Sequence, residues 1–154
     1  MRRHITMLFA AAALVLPQLA HAQNAKPAPS DGMQHKSPAS LKWTPIQPEG
    51  FAPGTEMAVL YGDPSVADQP YAFRLRFKDG YHFPAHYHPK AENITVMSGT
   101  FLLQMGDKAT ANLSAYGPGA FIFIPPELPH YGAVKGETVV QIHGIGPYQI
   151  LLAK

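Results

Sequence analysis

The sequence predicts an all-β fold, a single small barrel of short antiparallel strands, and three observations point there. Pro 16 and Gly 13 make up close to a fifth of the 154 residues, while Asp, Glu, Lys and Arg together are only 14%. That is poor material for long surface helices, whose solvated faces need Glu and Lys. Past residue 40 no apolar stripe of 3.6-residue period survives, and short runs rich in Val, Ile, Phe and Tyr alternate with turn residues. There is also no cysteine, so disulfides, thiolate nucleophiles, iron–sulfur ligation and Cys-based zinc sites are excluded.

In chain order, Arg2, Arg3 and His4 precede an apolar run from Ile5 to Leu16, then Pro17 and the small-residue end Ala20-His21-Ala22. This is the pattern of a secretory signal peptide cleaved after Ala22, and the run is short for a bilayer span. We therefore expect residues 1–22 to be a bacterial signal peptide, the mature protein to be periplasmic or secreted, and no membrane association after cleavage. Without Arg2 and Arg3 the 12 basic residues become 10, against 10 acidic ones. A near-neutral chain with no basic block gives no footprint for nucleic acid. Residues 23–40 (QNAKPAPSDGMQHKSPAS) hold one large apolar residue, Met33, and read as a flexible tail. Residues 41–154 are then one folded domain. Its expected strands are 56–61, 71–77, 82–88, 93–97, 101–105, 109–113, 120–124, 138–145 and 148–152, with Ser98-Gly99-Thr100 reversing one into the next.

Histidines carry the chemistry. His82, His86 and His88 crowd into GYHFPAHYHPKAENITVMSG, and a spacing of two puts the rings of His86 and His88 on one face of a strand. Glu92 follows a Pro89-Lys90-Ala91 reversal and can return its carboxylate over the pair. Two imidazoles and a carboxylate suit a borderline metal, and His130, after PPELP, is the best fourth candidate.

These residues resemble the cupins. Their first motif is complete as Gly80, YHFPA, His86-Tyr87-His88, PKA, Glu92, NITVMS, Gly99; the second reads Gly119, AFIFI, Pro125-Pro126-Glu127, LP, His130, YGA, Val134. Glu127 stands where that motif has glycine and Val134 where it has asparagine. The resemblance, over about residues 55 to 150, implies a double-stranded β-helix, that is, a jelly-roll barrel. It also implies His86, His88, Glu92 and His130 as ligands of one divalent transition metal: iron, manganese or zinc.

Other residues have open roles. His82 lies too far along a regular strand to coordinate and suits a pocket rim or second face. His143, sharing a strand face with Gln141, is the candidate acid/base or hydrogen-bond donor behind the ligands, and Glu92 is both ligand and candidate catalytic carboxylate. Arg74 and Arg76 face either solvent or a pocket edge. No phosphate loop or G-x-S-x-G elbow is present. The expected function is a metal-dependent enzyme on a small-molecule substrate, an oxidoreductase of dioxygenase-like type. The alternative is a non-catalytic periplasmic module that binds a metal or small ligand. Apolar strands are compatible with a homodimer through paired edges.

Overall fold

A computed structural model describes residues 32–108 and 112–153. The expected signal peptide, the start of the tail and most of the expected strand 109–113 lie outside them; Asn112 and Leu113, from that last segment, are not strand. The chain divides between Gln34 and His35, and the following concerns the second unit. Among the described residues no helix is long and apolar enough to cross a membrane.

Among the described residues, nine strands follow a single 3-10 turn at Pro38–Ser40: β1 Thr44–Ile46, β2 Thr55–Tyr61, β3 Pro70–Phe77, β4 His82–Tyr87, β5 Glu92–Met105, β6 Ser114–Tyr116, β7 Phe121–Ile124, β8 His130–Ile145 and β9 Leu151–Leu152. Every pairing is antiparallel. The long strands β5 and β8 pair with each other from Asn93↔His143 to Met105↔His130. β8 pairs with β4 near its start and with β3 over its last eight residues. β5 likewise takes β7 on its first half and β6 on its second. Two long strands thus pass through both layers and curl the sheet into a jelly-roll barrel.

The expected reversal at Ser98-Gly99-Thr100 is instead a bend inside one 14-residue strand. The register slips on both sides of Ser98, and Gly99 has φ 74°. A Cβ at Gly99 would collide with Glu137 O and Thr138 Oγ1 of β8. Glycine is needed here for close approach of two backbones, not for a turn. The fully buried Thr138 secures the bend: its hydroxyl accepts from Thr100 N at 3.2 Å and donates to Gly136 O at 3.1 Å.

The expected strand 148–152 shrinks to β9, and β1 and β6, three residues each, are too short to show a period. Alternation fixes which face is inside. On β3, Tyr71, Phe73, Leu75 and Phe77 are buried while Arg74 and Arg76 lie between them on the other face. Each buried aromatic or branched side chain contributes on the order of 1.5–3 kcal/mol. A one-residue slip would exchange these for the arginines, so register is strongly specified. Outside, Arg76 donates from Nε and Nη2 to Glu56 Oε2 at 2.8 and 2.6 Å and covers the Trp43 ring at 4.5 Å. Arg74 Nε donates to Gln141 Oε1 at 3.2 Å. Neither arginine lines the barrel's inner cavity.

Candidate metal centre

The centre is built where β4, the start of β5 and the start of β8 meet. β4 is not regular. Phe83 pairs with Gly132 and His86 with His130, so one extra residue is accommodated around Pro84 and Ala85. Proline has no N–H to give the ladder, which makes this a natural bulge. On an unbroken strand His82 and His86 would share a face; the bulge separates them. Phe83 and His86 point inward, and His82 is exposed on the far side. The bulge also aims Pro84 O at His86 Nδ1, 2.7 Å away.

His130, directly after the PPELP turn, is the first residue of β8, in register with both His86 and Met105. Its Nδ1 lies 3.0 Å from Leu128 O. The turn before it contains Glu127 at φ 61°, a left-handed conformation that suits the glycine of the cupin pattern. Glu127 N donates to His88 O at 2.8 Å, tying the two ligand-bearing segments together. His88, just past β4, has Nδ1 2.6 Å from Gln149 O.

All three Nδ1 atoms therefore face backbone carbonyls, which only accept. Each must carry its proton on Nδ1, leaving an Nε2 lone pair for a metal. One ligand nitrogen from each ring lies within 4.8 Å of the other two. Glu92, the first residue of β5, brings Oε2 to 3.4 Å from His88 Nε2 and 3.7 Å from His130 Nε2. All four residues are buried, with 2–6% of their surfaces exposed.

Burial sets the electrostatics. It pushes His86 down to about 3, with His130 and His88 adding to the effect against the Pro84 hydrogen bond. Burial likewise lowers His88 and His130. It raises Glu92, opposed by His130 and by a hydrogen bond from Tyr148. The histidines are thus neutral at ordinary pH, the form that binds metal. His88 Nε2 is buried with no hydrogen-bond partner and its lone pair faces a carboxyl group. A divalent cation resolves that contact, satisfying the lone pair and favouring the ionised Glu92. The donor set fits such an ion.

Tyr148 was not anticipated. Its hydroxyl donates to Glu92 Oε1 at 3.1 Å, and its ring stacks on His88 at 4.9 Å. Its sequence signal is only an aromatic residue after a Gly-Pro turn, with no spacing to a motif. His143, by contrast, does not join the centre. It is exposed on the outer face of β8, its ring 6.5 Å from that of the exposed Phe121. On that face neighbouring residues alternate outward with Gln141, while Ile142 points in. The acid/base role expected of His143 is therefore corrected.

A cavity of about 50 Å³ opens onto His86, Glu92 and His130. Its other walls are mostly apolar, including Phe51, Phe77, Phe83, Phe101 and Ile142.

Residues 73–145 match the cupin domain model. The unit that carries this centre is a cupin domain. Among solved structures, it is similar to the polyketide cyclase RemF from Streptomyces resistomycificus, with 22% identity, TM-score 0.65, and coverage of 79% of this chain and 86% of that one. It is similar also to Rru_A2000, a cupin-2 domain from Rhodospirillum rubrum, at 16% identity and TM-score 0.59, covering 79% and 80%. The DMSP lyase DddQ from Ruegeria pomeroyi aligns at 20% identity and TM-score 0.54, covering 70% of this chain but 57% of the lyase. No curated protein matches the sequence. These likenesses establish the fold and leave the reaction to the site.

Proposed function

We propose that this cupin domain is a metal-dependent enzyme acting on a small molecule, an oxidoreductase of dioxygenase-like type. One observation carries the reading: three buried imidazoles offer nitrogens within 4.8 Å of one another beside the Glu92 carboxylate, and His86, Glu92 and His130 line a mostly apolar cavity. The bound ion, iron, manganese or zinc, supplies Lewis acidity and, as iron or manganese, redox chemistry. The chain's own residues do the rest. His86, His88 and His130 hold the ion through Nε2, each fixed by its carbonyl. Glu92 contributes the only negative charge among them. Tyr148 holds Glu92 Oε1 and so orients the carboxylate. The phenylalanine walls exclude bulk water, which strengthens every charge interaction at the centre. An ion held by these residues would also be open to oxygen atoms of a small ligand from the cavity side.

A second reading, a binding module without catalysis, is favoured by one placement: His143, the expected proton carrier, lies outside. Elemental analysis of purified wild type and His86→Ala tests the centre itself. Near-stoichiometric metal in the wild type, lost in the variant, is expected; equal metal in both, or none after supplementation, overturns it. Oxygen uptake by iron-loaded protein over a panel of small hydroxy acids and phenols then separates enzyme from module. The signal-like residues 1–22 support a periplasmic mature protein, for which an intact mass beginning at Gln23 is the expected result.

A further inference from the structure

The described residues lining the cavity fall into two sets. Those on β2, β3, β4, β5 and β8 are buried, whereas Ile46, Pro48, Phe51, Tyr148 and Ile150 are half-buried. The half-buried set comes from two stretches only, 46–51 and 148–150, which therefore form the rim between cavity and solvent. The stretches abut: a Cβ at Gly50 would come within 2.6 Å of Leu152 Cδ1. Each brings one aromatic ring to a candidate ligand. The Tyr148 ring stacks on His88 at 4.9 Å, and its hydroxyl is committed to Glu92. The Phe51 ring meets His86 edge-on at 5.2 Å. Phe77, Phe83 and Phe101 also line the cavity but are buried, so Phe51 is the phenylalanine at the entrance.

Phe51 is held in place by its main chain. Its N–H donates to Pro48 O at 3.0 Å, closing a turn in which Gly50 takes φ 78°. Gln47 Nε2 donates to Phe51 O at 3.2 Å, and the hydroxyl of buried Tyr81 donates to the next carbonyl, Ala52 O, at 2.8 Å. The ring is thus fixed beside His86, yet it takes no part in the carbonyl contacts that hold the three histidines.

We propose that Phe51 is the specificity-determining residue of this centre: its ring bounds the space between the rim and His86, admitting small unbranched carboxylates and rejecting those with a ring beside the carboxyl group. This rests on the metal-centre reading above. A cavity of about 50 Å³ holds a few water molecules, and close-packed walls do not yield to a bulky group without cost. No lysine or arginine is among the described lining residues, so an anion's charge is met by the metal, and a divalent ion beside one ionised Glu92 suits a monoanion.

The test titrates cobalt-loaded protein with acetate and with benzoate, reading coordination from the visible absorption of cobalt. The wild type should bind benzoate at least about 10-fold more weakly than acetate, the scale on which an apolar pocket discriminates by bulk. Phe51→Ala should tighten benzoate by about 10-fold and leave acetate within about 3-fold of wild type. Phe51→Leu, which keeps an apolar side chain on the turn, should shift benzoate in the same direction by less. Cobalt stoichiometry and melting of each protein are measured first. A wild type that takes up cobalt but binds the two acids alike, or neither, overturns the role of Phe51. So does a fully loaded, normally melting variant in which both affinities change equally or not at all. A wild type that takes up no cobalt, zinc, iron or manganese overturns the metal centre, and the role of Phe51 with it.

Discussion

His86, His88 and His130 lie inside the barrel, whereas His35, His82 and His143 are exposed. The two groups are not separated by their neighbours along the chain. His82 sits two residues before Pro84 and His86 two residues after it, and His143 occupies the same long strand as His130. The difference is backbone geometry. His86 and His130 each have Nδ1 held by the carbonyl two residues back, and each follows a segment that proline prevents from being regular strand. His88 finds its carbonyl on Gln149 instead. A histidine becomes a candidate ligand here when one nitrogen is fixed by the main chain and the other is left facing its fellows. Exposed imidazoles without that support remain surface residues.

The largest test of this contrast is to remove one member of each group. His130→Ala should reduce metal affinity by at least 100-fold and bring measured stoichiometry close to zero, because a buried ligand is lost and no described side chain is placed to replace it. His82→Ala should retain wild-type metal content. Elemental analysis of both proteins, purified identically, decides it; equal loss in the two would remove the distinction between inside and outside.

A second test uses pH on the metal-free protein. In the unfolded chain an imidazole binds its proton near 6.5, while folded His86 holds out to about 3. The unfolded state therefore binds more protons between those values, so stability falls as pH drops through that window. His88 and His130 act in the same direction. Glu92 acts in the opposite one. Its folded carboxyl is raised above 4.5, which costs stability at neutral pH and ceases to cost as pH falls. Three histidines outweigh one glutamate, and the melting temperature should fall steadily from about pH 7 to pH 4. His86→Phe, whose ring fits beside Phe51 and Phe83, should make that slope shallower while abolishing metal uptake. An unchanged slope would show that His86 does not resist protonation in the fold.

Tyr148→Phe should act more gently. It keeps the ring against His88 and Phe73 but removes the hydroxyl that holds Glu92 Oε1. Loss of one hydrogen bond behind a ligand costs about 10-fold in metal affinity. Competition with a chromogenic chelator measures it, and affinity equal to wild type would mean that Glu92 is oriented without Tyr148.

The candidate centre was legible because its residues sit in a compact motif: His86, His88 and Glu92 span seven positions, and His130 follows a recognisable proline turn. The barrel was legible from composition and from the alternation on β3. What escaped was every feature that depends on an irregularity. The bulge at Pro84 put His82 on the face opposite His86, and the close approach at Gly99 turned an expected reversal into a bend. Parity counting assumes an unbroken strand, and a glycine serves a turn and a close contact equally well. For His143 the two faces of strand 138–145 were both open in sequence, since Gln141 and His143 alternate with apolar residues whichever face is buried. Tyr148 belongs to a segment with no period of its own, so only the folded chain shows that it reaches Glu92.

The smallest expected effect is the sharpest check on the outer group. His143→Ala should leave metal content unchanged and shift stability by no more than about 0.5 kcal/mol, the usual range for a surface substitution. The reason lies in what His143 contributes. Its backbone pairs with Ala72 and Asn93, and its carbonyl accepts from Asn93 Nδ2 at 3.1 Å. All of these survive the substitution. Its exposed ring lies 6.5 Å from that of Phe121, which is itself 60% exposed, so little apolar surface returns to water. Once a substrate is found, kcat/KM of the metal-loaded variant should lie within about 2-fold of wild type, a difference under 0.5 kcal/mol. A 100-fold loss with full metal content would mean that His143 reaches the reacting atoms in a conformation other than this one, and the division between inner and outer histidines would then describe the resting protein rather than the working one.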